Sequence, residues 1–470
     1  MAAPSANGER VVIIGGGPGG YESALVAAQL GAQVTVVDSD GIGGSAVLTD
    51  CVPSKTLIAT AELMIEVAGA AELGVNFRDQ AGDAATSLSV DLARVNARVK
   101  QLAADQSGDI ERRLAREGVT VVAGRGRLDG PHRVIATLPH GTEQTLPADA
   151  VLIATGAAPR TLPTAQPDGE RILTWEQVYD LDETPEKLIV VGSGVTGAEF
   201  ASAYLALGVD VTLVSSRDRV LPSEDAEAAA VLEEVSTRRG MKLLSKSRME
   251  SVTRDGDTVT VTLTDGRSVQ GSHCILALGS VPKTADLGLE DAGVMVNDGG
   301  FIYVDRVSRT SARGVYAAGD CTGVLMLASV AAMQGRIAMW HFLGDTVRPL
   351  DLKKVSSNVF TAPEIATVGW SQQSIDDGEM QAETVMLRMS GNARAKMQGV
   401  HDGFVKLFCR PGTGIVVGGV VVGPRASELI HPVSIAVAES LTADQLAQAF
   451  TVYPSMSGSI AEAARRLHRV

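Results

Sequence analysis

The chain contains the same glycine pattern twice, each time directly after a short strand-like run. Val11–Ile14 leads into Gly15–Gly20. Lys187–Val191 leads into Gly192–Gly197, and both glycine segments read G-x-G-x-x-G. In this pattern the glycines permit a tight turn, a close approach of the backbone to a pyrophosphate and close packing of helix on strand. Two such units predict an α/β fold with two Rossmann-like dinucleotide-binding domains.

The first unit carries an acidic residue at the position expected for binding an adenosine ribose. A helical stretch is predicted over Tyr21–Leu30, and a second strand, Gln33–Val37, ends in Asp38. Asp38 falls 18 positions after Gly20, within the roughly 20 expected for a carboxylate that accepts both ribose hydroxyls. The first unit is therefore predicted to bind an adenine dinucleotide.

The second unit lacks such an acid. Its second strand, Val209–Val214, is followed by Ser215, Ser216 and Arg217, and Arg219 lies two residues further on. An arginine at this place can pair with the 2′-phosphate that distinguishes NADPH from NADH. We therefore expect NADPH to be preferred, with Arg217 as the main partner and Arg219 as a second candidate. The alternative is that Arg217 is an ordinary solvated turn residue.

Composition limits the remaining possibilities. A chain of 470 residues predicts about three domains of roughly 150 residues each. A formal charge of -14 argues against nucleic acid or anionic membranes as partners, because both repel acidic proteins. The four cysteines and seven histidines show no metal-ligand spacing, so no metal site is predicted. The sequence contains no signal-peptide pattern and no apolar run of about 20 residues, so we expect a cytoplasmic protein without a transmembrane segment.

Further segments carry a family resemblance that covers nearly the whole chain. They are Gly43–Lys55, Ala154–Gly156, Ala277–Gly279 and Thr310–Asp320. These segments resemble the redox helix, the two interdomain turns and the second FAD motif of the pyridine nucleotide-disulfide oxidoreductases, which include dihydrolipoamide dehydrogenase. The resemblance implies FAD and NADPH or NADH as cofactors, and a homodimer or a dimer of dimers. It also implies a discontinuous FAD domain of residues 1–155 and 280–350, an NAD(P) domain of residues 156–279 and an α+β interface domain of residues 351–470.

The resemblance fails where disulfide chemistry would occur. Ala46 stands at the position of the first redox cysteine, before Cys51, and a thiol exchange needs an attacking thiolate and a second sulfur. Tyr453 and Gly458 stand where the family carries a histidine and a glutamate. A phenol titrates far above neutral pH, whereas an imidazole titrates close to it, so a tyrosine cannot inherit the base role. Reduction of lipoamide or glutathione is therefore not expected.

A hydride acceptor that needs no thiol is the expected substrate. A flavin beside a nicotinamide can take a hydride, and a quinone can accept the electron pair directly from the reduced flavin. The sequence favours an FAD-dependent NAD(P)H:quinone oxidoreductase, similar to the quinone-reducing members of the family that lack the redox disulfide. One alternative is a soluble pyridine nucleotide transhydrogenase, which shares the tyrosine of this carboxy-terminal segment. A second is a non-catalytic flavoprotein that senses redox state through Cys51.

The resemblance also assigns roles to single residues. Lys55 and Glu199 match an ion pair beside flavin N5, where a buried ammonium requires a carboxylate. Cys51 is expected next to the flavin, and Tyr453 is a candidate proton donor, so these four are the catalytic candidates. The residues predicted to bind a cofactor are Gly15, Gly17, Pro18, Gly20, Asp38, Gly43, Gly44, Ser45, Cys51, Lys55, Gly126, Thr155, Gly156, Gly192, Gly194, Val195, Thr196, Gly197, Glu199, Ser216, Arg217, Gly279, Asp320, Leu327 and Ala328.

Overall fold

The computed structural model describes residues 8–75 and 88–468. The chain folds into two compact units, each assembled from three segments. The first unit contains Met1–Ser54, Ala97–Arg160 and Gly279–Asp351. The second unit contains Lys55–Asn96, Thr161–Leu278 and Leu352–Val470. The three-domain boundaries implied by the resemblance stay a prediction.

Strands and helices alternate along most of the described chain. The strands are β1 Arg10–Ile14, β2 Gln33–Asp38, β3 Thr120–Ala123, β4 Arg125–Leu128, β5 Arg133–Thr137, β6 Glu143–Pro147, β7 Ala150–Ile153, β8 Ala157–Pro159, β9 Ile172–Thr174, β10 Lys187–Val191, β11 Asp210–Val214, β12 Lys242–Leu244, β13 Met249–Asp255, β14 Thr258–Leu263, β15 Ser268–Gly271, β16 His273–Leu276, β17 Ser280–Pro282, β18 Val315–Ala317, β19 Ser356–Val359, β20 Glu364–Gly369, β21 Glu383–Arg388, β22 Phe404–Cys409 and β23 Val416–Gly423. The α-helices are α1 Pro18–Gln29, α2 Gly44–Leu48, α3 Cys51–Ala68, α4 Leu92–Arg116, α5 Val195–Ala206, α6 Ala226–Arg238, α7 Ala328–Phe342, α8 Gln372–Asp376, α9 Ala393–Met397, α10 Ala426–Leu429, α11 His431–Ala438, α12 Ala443–Gln448 and α13 Gly458–Leu467.

The first unit is built on a five-stranded parallel sheet in the order β18-β7-β1-β2-β3. Each of the four residues Val11–Ile14 of the central strand β1 is at most 3% exposed. A continuous apolar strand suits a parallel sheet, because helices or further sheets cover both of its faces. On one face, Leu25 of α1 and Met339 of α7 join the same core as Val11 and Ile13. Two small antiparallel sheets, β4-β5-β6 and β8-β17, complete the unit.

The second unit contains two five-stranded sheets of different kinds. One is parallel, in the order β12-β11-β10-β16-β9, and the three-stranded antiparallel sheet β13-β14-β15 accompanies it. The other is antiparallel, in the order β19-β20-β23-β22-β21. All residues of β22 and β23 are buried, in a core that includes Leu407 and Val421 together with Ile460 of α13.

The fold class predicted from the sequence is confirmed, and the element boundaries differ by a few residues. The sequence predicts a first helix from Tyr21, whereas α1 begins at Pro18, because a proline fits the first helical turn, where no intrahelical N–H bond is needed. The strand predicted at Val209–Val214 corresponds to β11, which begins at Asp210 and not at Val209. Within the described ranges, no helix combines the length and the apolar character needed to cross a membrane.

A buried lysine links two parts of the second unit. Lys406 in β22 is 1% exposed, and its Nζ lies 2.7 Å from Asp225 Oδ2 and 2.5 Å from Glu227 Oε2. Asp225 is also the N-cap of α6, where its Oδ1 accepts the backbone N–H groups of Glu227 and Ala228. A buried ammonium is tolerated only with such partners. The ion pair therefore fixes β22 against the start of α6.

Replacing Lys406 with alanine should lower the free energy of unfolding by about 3–5 kcal/mol, because Asp225 would stay buried without its counter-charge. Urea unfolding followed by circular dichroism measures this loss. The control is Lys242→Ala, which removes an exposed ion pair with Asp210 at 3.0 Å and should cost less than about 1 kcal/mol. Equal losses in the two variants would contradict the role given to Lys406.

Candidate functional site

The first glycine turn is a place where only glycine fits. Gly15, directly after β1, has a φ of 108°, and a Cβ built on it would lie 2.2 Å from the carbonyl oxygen of Ala154. A Cβ on Gly20 of α1 would lie 1.9 Å from the carbonyl oxygen of Gly15. The glycines therefore let α1 start directly against the end of β1, and the positive end of the helix faces the turn.

A cleft of about 800 Å³ opens at this turn, and the residues that line it all belong to the first unit. Its wall includes the β1–α1 turn, the end of β2, the segment around α2, and the loop that follows β18. A volume of this size is usual for cofactor sites. The predicted cofactor-binding residues that line the cleft are Gly15, Gly17, Pro18, Asp38, Gly44, Ser45, Cys51, Gly126, Thr155, Gly156, Asp320 and Ala328.

The chemistry of this wall fits an adenine dinucleotide. Asp38 accepts the backbone N–H of Gly16 on Oδ2 at 2.6 Å, and those of Asp40 and Gly41 on Oδ1 at 2.8 and 2.6 Å. A carboxylate offers about four acceptor sites, so one remains for a ribose hydroxyl. Gly17, the N-cap of α1, has no side chain that could cap the helix, which leaves the helix N-terminus open for a pyrophosphate.

The redox segment presents one cysteine and one alanine to the same cleft. The backbone N–H of Gly43 donates to the carbonyl oxygen of Gly16 at 2.8 Å, which ties this segment to the glycine turn. Ala46 in α2 and Cys51 at the start of α3 both line the cleft, and Cys51 is half-buried. A methyl group thus stands where the resemblance places the first redox sulfur.

Asp320, in the loop after β18, is an acidic residue with a raised pKa. Burial, and then the negative charge of Asp50, raise the pKa of Asp320 to about 6. Both carboxyl groups line the cleft. The neighbouring N–H of Gly319 donates to Gln334 Oε1 at 2.8 Å, which anchors this loop to α7. Around pH 6, Asp320 is therefore present both in the protonated form, which can donate a hydrogen bond, and in the ionised form, which only accepts.

Sequence reasoning missed an ion pair that also lines the cleft. Lys283 Nζ lies 3.1 Å from Asp40 Oδ2. The Ser39 hydroxyl, and next Lys283, lower the pKa of Asp40, while burial opposes them. The backbone N–H of Lys283 donates to the carbonyl oxygen of Gly156 at 3.0 Å. The signal that could have found Lys283 is its position shortly after the turn at Gly279.

Four predicted cofactor residues of the first unit support the cleft and do not line it. Gly20 provides the close contact of α1 with β1. Gly43, with a φ of 104°, is the N-cap of α2, and Gly279 adopts a φ of 86° before β17. Leu327 is the N-cap of α7, while its neighbours Met326 and Ala328 face the cleft.

The second glycine turn repeats the geometry of the first. Gly192 has a φ of 114°, and its Cβ would lie 2.1 Å from the carbonyl oxygen of Ala277. A Cβ on Gly197 would lie 1.8 Å from the carbonyl oxygen of Gly192. Gly194 is the N-cap of α5, so Val195–Gly197 form the first turn of that helix. This turn therefore meets the same steric requirement for a pyrophosphate.

The two arginines after β11 differ in their contacts. Ser216 and Arg217 are exposed. The guanidinium group of Arg219 donates to the carbonyl oxygens of Pro222 and Glu224, at 2.9 and 3.2 Å. Arg219 thus holds its own loop, which weakens its candidacy as a phosphate ligand and leaves Arg217 as the stronger of the two.

Lys55 and Glu199 form an ion pair within the second unit. Lys55 Nζ lies 2.8 Å from Glu199 Oε2 and 4.9 Å from the centre of the Phe360 ring. The other oxygen of Glu199 accepts the backbone N–H of Phe360 at 2.8 Å. Glu199 is 4% exposed, so its charge is held in place by two donors.

The last catalytic candidate lies on the surface, and the cysteines other than Cys51 lie in the cores. Tyr453, between α12 and α13 in the second unit, is 87% exposed. Nearby Phe450 and Val452 are also exposed. Cys274, Cys321 and Cys409 are buried. Across residues 8–75 and 88–468, no group of three or more acidic, histidine or cysteine side chains is arranged to hold a metal ion.

Comparison with known families identifies the chain. The family model described as pyridine nucleotide-disulphide oxidoreductase matches residues 9–335. The chain belongs to this family. The model described as the dimerisation domain of the same family matches residues 355–464, which corresponds to the antiparallel sheet and its helices. The resemblance inferred from the redox segment is therefore confirmed.

Individual relatives agree with this assignment. The protein is 58% identical over 469 residues to the NAD(P)H dehydrogenase (quinone) of Mycobacterium tuberculosis, covering 97% of this chain and 94% of the relative. It is 32% identical over 458 residues to the dihydrolipoyl dehydrogenase of Zymomonas mobilis, covering 96% of both. The crystal structure of LpdA from M. tuberculosis superposes with a TM-score of 0.93 at 56% identity, covering 98% of this chain and 100% of that chain.

Asp320→Asn should stabilise the protein without bound dinucleotide by about 2–3 kcal/mol at pH 7, and by much less at pH 4. The folded-state pKa of Asp320, about 6, lies above the usual value of 3.8. Ionisation therefore opposes folding as the pH rises through this window, and the full penalty is present above it. Thermal unfolding of both proteins from pH 4 to 7 measures the difference.

Asp305→Asn is the matched control and should show the opposite sign. Burial raises the pKa of Asp305, but the hydrogen bonds from Arg309 and Val307 outweigh it and lower the pKa. Asp305 therefore contributes stability at neutral pH that is lost on acidification. A stability difference for Asp320→Asn that does not change with pH would refute the assignment.

Proposed function

We propose that this protein is an FAD-dependent NAD(P)H:quinone oxidoreductase that prefers NADPH and operates without a redox disulfide. The observation that carries the proposal is that the residues lining the cleft include one cysteine of the redox segment, Cys51, and an alanine, Ala46, at the position of the other. A disulfide reductase needs two sulfurs at this place. The 58% identical relative from M. tuberculosis bears the name NAD(P)H dehydrogenase (quinone), which supports a quinone as the acceptor.

The first unit would hold FAD in the cleft. Asp38 would accept a ribose hydroxyl, and the glycine turn with the start of α1 would bind the pyrophosphate. Asp320 would form a hydrogen bond to the ribityl or the phosphate region of FAD, as the resemblance implies. The Lys283–Asp40 pair also lines this cleft.

The second unit would hold NADPH at the Gly192–Gly197 turn. Bound FAD supplies the chemistry of accepting a hydride and passing on the electron pair. In the overall reaction, NADPH, a quinone and one proton give NADP⁺ and a hydroquinone. Lys55 would keep its positive charge near the flavin, as the resemblance implies, because Glu199 holds it at 2.8 Å. Tyr453 is the candidate donor of the proton.

The protein would work as a homodimer formed by the carboxy-terminal part of the chain. The match to the dimerisation domain over residues 355–464 supports this. The side chains of Phe450, Val452 and Tyr453 are among the most exposed large apolar or aromatic groups of the described residues. A partner subunit would cover such a patch, and the resemblance implies that one subunit donates the tyrosine segment to the active site of the other.

Anaerobic stopped-flow spectroscopy tests the function directly. The flavin of the purified enzyme is first reduced with NADPH, and a naphthoquinone, NAD⁺ or oxidised lipoamide is then added separately. Rapid reoxidation by the quinone alone is the expected result. Reoxidation by NAD⁺ alone would identify a transhydrogenase, and no reduction by NADPH would favour a non-catalytic flavoprotein. Reoxidation by lipoamide would overturn the proposal.

The thiol of Cys51 should be dispensable for quinone reduction. We expect Cys51→Ala to keep at least about a third of the steady-state quinone rate, because no covalent sulfur step is required. Ala46→Cys supplies the second cysteine and serves as the comparison. It should still fail to reduce lipoamide, because Tyr453 and Gly458 do not restore the acid-base pair. A loss of about 100-fold or more in Cys51→Ala would contradict a thiol-free mechanism.

A further inference from the structure

We infer that Lys246 binds the 2′-phosphate of NADPH together with Arg217 and is a specificity-determining residue of the second dinucleotide site. The inference rests on the proposed NADPH preference and deepens it. Lys246 is distant from every glycine motif in the sequence and follows β12, the edge strand of the parallel sheet. Three structural observations carry the argument.

The first observation is the register of the two strands. β11 and β12 are parallel neighbours, with Val214 opposite Leu244 as their last pair. The segments that leave the two strands, Ser215–Arg217 and Ser245–Lys246, therefore emerge side by side at the carboxyl edge of the sheet. Nucleotides bind at this edge in open α/β sheets.

The second observation is a continuous set of hydrogen bonds from the glycine turn to Lys246. Ser193, inside the turn, places its Oγ 2.7 Å from Ser215 Oγ. The backbone N–H of Arg217 donates to Ser215 Oγ at 3.1 Å. The backbone N–H of Lys246 donates to the carbonyl oxygen of Arg217 at 2.7 Å. The two basic residues are thus held at a fixed place relative to the turn that would bind the pyrophosphate.

A further bond closes this arrangement. The backbone N–H of Ser247 donates to the carbonyl oxygen of Ser215 at 2.7 Å, and Ser247 Oγ accepts a hydrogen bond from Arg267 at 2.7 Å. Arg267 is itself paired with Asp265 at 2.7 Å. The segment after β12 is therefore fixed on both sides of Lys246, and Arg267 serves to position it.

The third observation is the backbone conformation of Lys246. Its φ is 53°, in the left-handed region that lysine rarely adopts. This conformation is strained for a non-glycine residue, and strain of this kind is concentrated at functional sites. Glycine would relieve the strain, and the presence of lysine instead favours a role for its side chain.

The charges at this edge suit a phosphate dianion. The side chains of Arg217 and Lys246 are both exposed, while Arg219 donates to two carbonyl oxygens of its own loop. Asp218 and Arg248, one acid and one base, are also exposed nearby in the sequence. A guanidinium fork and an ammonium group can share the three outer oxygens of one phosphate. The 2′-hydroxyl of NADH would leave both cations without a counter-charge.

Binding of 2′,5′-ADP and 5′-AMP to the FAD-containing enzyme tests the inference, because these two probes differ by the 2′-phosphate alone. Calorimetry gives both dissociation constants for wild type, Lys246→Gln, Lys246→Arg and Arg217→Gln. The matched control is Lys242→Gln, at the start of β12, where the lysine pairs with Asp210. Flavin reduction by NADPH and by NADH, followed at several concentrations, provides a second readout.

We expect Lys246→Gln to weaken 2′,5′-ADP binding about tenfold and to leave 5′-AMP within about twofold, since one charge-assisted contact is lost. Arg217→Gln should have a similar effect, Lys246→Arg should restore most of the affinity, and Lys242→Gln should match wild type. The half-saturating NADPH concentration should rise in Lys246→Gln, with the limiting rate of flavin reduction unchanged.

Two results would overturn the inference and separate its failure from that of the proposed function. In the first, Lys246→Gln binds 2′,5′-ADP as tightly as wild type does, and wild type prefers this probe to 5′-AMP. This result would refute the role of Lys246 and leave the proposed NADPH preference intact. In the second, wild type binds both probes equally, which would refute the proposed NADPH preference and the role of Lys246 together. Neither result would affect the proposal of quinone reduction, which the stopped-flow experiment tests separately.

Discussion

Direct contact between backbones at the two glycine turns is the constraint on which both dinucleotide sites depend. At each turn, a Cβ on the helical glycine would come within 2 Å of the carbonyl oxygen of the first glycine. No larger residue can occupy these positions unless helix and strand separate. The contact brings each helix N-terminus to the carboxyl edge of its sheet, so the anion-binding end of the helix, the strand-end side chains and the turn meet at one place.

This constraint also explains why so much of the site could be predicted from the sequence. A glycine pattern, a preceding apolar strand and a following acid are local signals, and together they predicted the turn at Gly15, the helix that follows and Asp38 as a residue of the cleft. The absence of a sulfur at Ala46 was equally readable, because the redox segment is continuous in sequence. The helix boundary was less accurate, since Pro18 breaks helical periodicity while fitting a helix start.

Contacts between distant segments were not predictable in this way. Lys283 meets Asp40, and Lys406 meets Asp225, only because segments that are far apart in the sequence come together in the folded chain. Lys246 belongs to the same class, since its backbone partner Arg217 lies in the segment that follows the neighbouring strand β11. A lone lysine in a sequence is most often a solvated surface residue. The folded arrangement of the strands and helices, and not the spacing of residues along the chain, gives these lysines their partners.

The chain order of the first unit has a consequence for biosynthesis. Its central strand β1 is made first, but β18, which covers the outer edge of the buried strand β7, comes only after the entire parallel sheet of the second unit has been translated. During synthesis, the edge of β7 that later pairs with β18 therefore remains unpaired, while β9 to β16 can already pair. Exposed strand edges invite wrong pairing, so the edge of β7 is the part of this sheet most prone to wrong pairing until β18 has been synthesised.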